Sequence, residues 1–200
     1  MAAKNGNGKI RVLGVDPAVA GATGFAVVEV DGATARSLRF GALKFPSRLA
    51  FGARLLDIHK LIAALVEEYS PDAVAVESVF TALNMRTALK LAEVRGVVIL
   101  AAAQASIPAH SYSPREVKAS IAGYGAATKQ QMQYMVKAQL GLCEQPEPPD
   151  AADALAVALC HAHATSAKTR MAAAMAPRVA SPRIASGLHS TARSIRIQSL

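Results

Sequence analysis

Ile10–Pro17 reads IRVLGVDP, and the fold turns on how that stretch ends. Val12, Leu13, Gly14 and Val15 form a short apolar run with β-branched residues, the pattern of a buried strand. The run stops at Asp16, a carboxylate that packing alone would not select. Pro17 then blocks further pairing, because it has no N–H to give a sheet ladder. Open α/β sheets keep their chemistry at the carboxyl ends of central strands. Taken alone, Asp16 serves equally well as a turn former ahead of Pro17. The choice depends on whether other carboxylates reach the same point.

Working outward, Phe25–Val30 reads as a second strand, Asp31-Gly32 as a hairpin turn and Ala35–Phe45 as a third strand. Pro46-Ser47 precedes a helix expected over Arg48–Tyr69, with Leu49, Leu55, Leu56, Ile58, Leu61, Ile62 and Leu65 at helical spacing. Ser70-Pro71-Asp72 breaks it. Ala73–Val76 is another short buried strand, and it too ends on an acid, Glu77. Asn84–Ala105 reads as a long helix whose second half, VVILAAAQA, is apolar nearly all round. Such a helix is buried in the core or against a second subunit, and Val97–Ala103 is the candidate dimer face. His110–Tyr112 is a short strand, Pro114–Ile121 a helix with proline in its first turn, and Thr128 an N-cap for a helix to Leu140. Gln145–Pro149 is a stiff connector before a last helix, Asp150 to His163. Strands and helices in this order make an α/β domain with a mixed sheet.

The 52% hydrophobic content includes 4% aromatics and no Trp, so the core is aliphatic and alanine-rich. Apolar runs such as Val97–Ala103 are too short to span a bilayer. The start, MAAKNGNGK, lacks the apolar stretch of a signal peptide and reads as a disordered leader over residues 1–8. Cys143 and Cys160 fit no metal spacing and no disulfide framework, which points to a reduced, cytoplasmic protein. The net charge of +8 is uneven: residues 165–200 hold six basic side chains and no acid, leaving 16 basic and 14 acidic elsewhere. The organisation expected is a folded domain over 9–164 and a basic, mostly disordered tail over 165–200. That tail either adds salt-sensitive affinity for nucleic acid or is an inert extension.

Asp150 and Asp153 lie three apart at the start of the last helix, so they share a face. First-turn acids commonly do no more than complement the helix dipole. Here, however, the helix continues as Ala154-Leu155-Ala156-Val157-Ala158-Leu159, and a carboxylate opening a buried helix needs a partner or a metal. Asp16, Glu77, Asp150 and Asp153 brought together would raise one another's pKa unless cations neutralise them. An all-oxygen set with open positions suits Mg²⁺ or Mn²⁺. Two such ions can activate a water and stabilise a leaving oxygen in phosphodiester hydrolysis.

Four segments in series, LGVDP, AVESVF at Ala75–Phe80, NMRTALKLAEVRG at Asn84–Gly96 and PDAADALAVALCHAH at Pro149–His163, resemble the RuvC family of Holliday-junction resolvases. The resemblance spans about residues 10–163. It implies an RNase H-like mixed five-stranded sheet flanked by helices, a homodimer, and Mg²⁺-dependent paired nicking of a four-way DNA junction in recombination and repair. It further implies two Mg²⁺ per site, with Mn²⁺ able to substitute, and cooperation with the RuvA–RuvB branch-migration complex. Asp16, Glu77, Asp150 and Asp153 match the family's metal-binding acids, with Asp16 bridging both ions. Phe80 matches an aromatic that enters the junction centre, or else packs in the core. Lys118 and Lys129 match basic positions near the scissile phosphate, or are solvated surface charges. Arg86, Lys90 and Arg95 line one helix, either as DNA phosphate contacts or as a polar face. The sequence departs from the family at Ala18, where Gly is usual, and in a loop to Thr23-Gly24 one residue longer, in which Gly21 supplies the missing freedom. Two competing readings are another RNase H-like nuclease, such as an RNA-processing relative, and a junction-binding protein that has lost cleavage.

Overall fold

The computed structural model describes residues 9–19, 21–78 and 84–175. Phe80 and residues 176–200 lie outside them, as do residues 1–8. Ten elements follow in order: β1 (Ile10–Asp16), β2 (Ala22–Asp31), β3 (Thr34–Lys44), α1 (Phe51–Tyr69), β4 (Ala73–Glu77), α2 (Met85–Gln104), β5 (Ala109–Tyr112), α3 (Pro114–Ala122), α4 (Lys129–Leu140) and α5 (Pro149–Met175). The strands form one sheet in the order β3-β2-β1-β4-β5. β1 pairs antiparallel with β2 and parallel with β4, so the apolar β1 is central and the sheet is mixed.

Strand alternation divides the core in two. Leu13, Val15, Val27, Val74 and Val76 face α1 and α2, against Ile58, Ile62, Leu65, Val94 and Val98. Val12, Ala26, Val28 and Ala75 face α5, with α3 and α4 beside it. α5 lies unusually close to the sheet. A Cβ on Gly14 would run into the Ala154 carbonyl and Ala158, and a Cβ on Gly24 into the Asp150 carbonyl. Two glycines below and an alanine-rich helix above let the backbones approach.

The loop after Pro17 takes its left-handed residue at Gly21, whose φ is 101°. Ala18 keeps an ordinary φ, as the longer loop requires.

Three expectations are corrected. α1 begins at Phe51 rather than Arg48, because Pro46–Leu49 closes its own turn, with the Leu49 N–H donating to the Pro46 carbonyl at 3.0 Å. Pro149 opens α5 instead of ending the connector, since proline's missing N–H costs nothing in a first turn. α5 also continues to Met175, well past His163 and into the segment read as disordered. Side-chain bonds support that extension: His161 Nε2 lies 3.3 Å from Thr165 Oγ1, and the Thr169 hydroxyl donates to the Thr165 carbonyl. His161 is buried, with Nδ1 2.8 Å from the Tyr112 hydroxyl, and burial pushes its pKa down to about 4.

α2 buries one side of the Val97–Ala103 segment in the core and leaves other residues exposed. Val98, Ala101 and Ala102 are buried in the core, while Leu89 and Leu100, three turns apart, are more than half exposed. Among the described residues, no helix is long and apolar enough to cross a membrane.

Candidate active site

Two adjacent parallel strands, β1 and β4, reach the same end of the sheet with a carboxylate. Asp16 ends β1 opposite Gly24, and Glu77 ends β4 one step beyond the Val15–Val76 pair. The two acids are therefore neighbours across a parallel ladder. Both point to the α5 side, because they continue the Val12–Gly14 and Ala75 alternation. α5 arrives over that end with Asp150 and Asp153 in its first turns, at a distance that Gly14 and Gly24 permit.

The electrostatics record the meeting. The Asp16 carboxyl is pushed up to about 8, first by burial, then by the negative charges of Glu77 and Asp153, a hydrogen bond with Glu77, and Asp150. Glu77 is raised as well, again mainly by burial; the hydrogen bond from Asp16 and the charge of Lys118 hold it back. The two carboxyls titrate as a pair, and both are raised. Among the described residues, no three His, Cys, Asp or Glu side chains are drawn into a closed metal cage. What the structure holds is an open row of acids whose half-buried member, Asp16, has its pKa pushed well above the usual carboxylate range. Such a row lacks positive charge, and an oxygen-only donor set fits a hard divalent cation.

A cleft of about 240 Å³ adjoins this row, lined by Glu77 and Asp153 together with Lys118 and Lys129. Lys129 Nζ lies 3.2 Å from Asp153 Oδ2. Capping boxes at Ser113 and Thr128 fix the helices that carry the lysines: each hydroxyl accepts an N3 backbone N–H, and Glu116 and Gln131 accept in return. Lys118 and Lys129 thus both line the cleft beside Glu77 and Asp153, and Lys129 is paired with Asp153.

Arg86 and Lys90 are placed differently. They lie on α2, in the layer across the sheet from α5, and Lys90 Nζ stands 5.4 Å over the Phe51 ring. Neither lines the cleft. Arg95 donates to the Ser111 hydroxyl. The sequence reading missed Gly14 and Gly24 as the platform for α5. A glycine inside a buried strand was the available signal.

A five-stranded mixed sheet with acids at the ends of two adjacent central strands, overlaid by a helix bringing two more, is an RNase H-like fold. A family model described as "Crossover junction endodeoxyribonuclease RuvC" matches residues 12–161. Curated relatives of that name from Chloroflexus aggregans and Syntrophomonas wolfei are 47% and 44% identical, each over 77% of this chain and 93% and 89% of their own. The structure titled "T. thermophilus RuvC in complex with Holliday junction substrate" is similar over 80% of this chain and 97% of that one, at 37% identity and TM-score 0.75. The yeast mitochondrial resolvase Ydc2, at 13% identity and TM-score 0.56, shares the fold. The chain belongs to the RuvC family of crossover junction endodeoxyribonucleases, and is a hydrolase of DNA recombination and repair. Membership carries dependence on a divalent metal ion.

Proposed function

We propose that this chain binds four-way DNA junctions and nicks two opposed strands symmetrically, using Asp16, Glu77, Asp150 and Asp153 as the ligands of two Mg²⁺ ions. The observation that carries the reading is the meeting of Asp16 and Glu77 at adjacent strand ends under the start of α5, where burial and then the charges of Glu77, Asp153 and Asp150 raise the Asp16 carboxyl to about 8. Mn²⁺ substitutes, because the donors are all oxygen. The bound ions supply an activated water and charge stabilisation for the leaving oxygen. The protein's part is to hold the acids in a fixed row and to keep apolar helix against one side of it. Lys129 sits beside Asp153 and Lys118 beside Glu77, where both can hold the non-bridging oxygens of the scissile phosphate. Hydrolysis by water leaves 5′-phosphate and 3′-hydroxyl ends.

The partner surface is a second copy, seated on the outer face of α2, so that two active sites address one junction. Phe80, which follows β4 by three residues, enters the junction centre. Arg86 and Lys90 hold DNA arms, away from the cleft. The enzyme works in the cytoplasm, downstream of the RuvA–RuvB branch-migration complex. Competition among four-way junction, linear duplex and structured RNA tests the substrate: nicking confined to the junction supports the reading, and preferred cleavage of RNA overturns it.

A further inference from the structure

On the other side of Asp150 from the lysine-lined cleft lies a cavity of about 570 Å³, lined by Gly21, Ala22, Lys44, Phe45, Ser47, Arg54 and Asp150. Its two cations differ in kind. The Arg54 guanidinium donates to the carbonyls of Leu49, Val19 and Ser47 at 3.2–3.3 Å and stands 5.7 Å over the Phe45 ring. It is committed to building the wall. Lys44 is exposed and enters none of the ion pairs or side-chain hydrogen bonds formed among the described residues.

Register fixes where Lys44 points. It pairs with Ala22 at the end of β3, and Leu43 beside it faces α1 and α2. Lys44 therefore projects to the α5 side, the side of Asp16 and Glu77. At that end of the sheet Glu77 stands beside Asp16, and the Ala22–Lys44 pair lies two residues beyond the Asp16–Gly24 pair, with Lys118 on the helix that follows β5. Lys44 is two strand spacings across and two residues further along the strand than Asp16, roughly 12 Å away. A polyanionic strand whose reacting phosphate lies over the acids extends past both sides of them. One side meets Lys118 and Lys129, and the other meets this cavity.

We propose that Lys44 and the cavity it lines form a second phosphate subsite, which takes the phosphodiester flanking the scissile one on the side away from Lys118 and Lys129. The inference rests on the nuclease reading above. Ser47 adds a hydroxyl donor on the rim, and Arg54 supports the subsite without contacting the strand. Lys44 selects phosphate charge, not base identity.

The test pairs Lys44→Ala with junctions carrying one neutral methylphosphonate at each position around the nick, in single-turnover cleavage with Mg²⁺. In the wild type, neutralising the phosphate over Lys44 slows cleavage about tenfold, the loss of one charge-assisted contact. Lys44→Ala shows the same loss on the unmodified junction and no further loss at that one position. Substitutions on the Lys118 side still slow it, and Lys44→Arg restores the rate. Full additivity at every position, or wild-type cleavage by Lys44→Ala, overturns the subsite. A wild type that leaves the unmodified junction intact overturns the nuclease reading, and the subsite with it.

Discussion

The Asp16 carboxyl, held at about 8 against an ordinary 3.8, ties the active site to stability. The folded protein binds more protons than the unfolded chain between those values. The contribution is therefore fully present below the unfolded value and is lost as pH rises through the folded one. In EDTA, the melting temperature should fall between pH 5 and 8, and Mg²⁺ should flatten that fall. Asp16→Asn should show a shallower fall in EDTA than the wild type, and a higher melting temperature at pH 8. Equal pH slopes for the two proteins would remove the electrostatic account of the site. Glu29 works with the opposite sign at the far end of the strands. Arg11 at 2.9 Å and Arg36 at 2.6 Å hold this buried carboxylate at about 2. Its contribution is present above its ordinary 4.5 and lost as pH falls toward 2. Glu29→Ala strands two arginines and should cost about 3 kcal/mol in denaturant unfolding at pH 7. Near pH 2 that difference should vanish, and a constant difference from pH 7 to 2 would contradict the ion-pair assignment.

α5 is the element on which the site depends, since its distance from the sheet sets where Asp150 and Asp153 stand. Gly24→Ala places a methyl against the Asp150 carbonyl and should shift the helix start. Overpacking of this kind costs about 1–3 kcal/mol. Cleavage should fall by a larger factor than that stability loss explains, while junction binding in Ca²⁺ persists. Cleavage at the wild-type rate would show that the approach at Gly24 does not position Asp150. The strands, the acids that end them and the starts of α3 and α4 were legible in the sequence, because β-branched runs, Pro17, Pro114 and Thr128 are local signals. Helix ends were less so. The start of α1 depends on a turn at Pro46, and α5 runs on past His163 through bonds of Thr165 to His161 and of Thr169 to Thr165. The four acids could be listed from sequence, but their meeting over Gly14 and Gly24 is a tertiary fact. So is the separation of Lys118 and Lys129, in the cleft, from Arg86 and Lys90, across the sheet.

At the scale of the whole molecule, the acids lie on the α5 side of the sheet and three exposed leucines on the side of α1 and α2. Leu56, Leu89 and Leu100 are 53%, 58% and 53% exposed on α1 and α2, an unusual concentration of large aliphatic side chains in solvent. With that face covered by a second copy, Leu89→Glu/Leu100→Glu should sediment as a monomer at micromolar concentration, retain its fold and lose coupling between the two nicks. A variant that sediments like the wild type would move the partner surface elsewhere. The central claim is that the carboxylate row at the end of β1 and β4 hydrolyses DNA at a junction. It is tested most directly by incubating a synthetic four-way junction with the wild type and Asp16→Asn in Mg²⁺ and resolving the strands. The wild type should give paired nicks at symmetric positions, and Asp16→Asn should bind the junction but cleave at least about a thousandfold more slowly, the loss of several kcal/mol of metal-assisted stabilisation. Normal nicking by Asp16→Asn, or binding without nicking by the wild type, would contradict it.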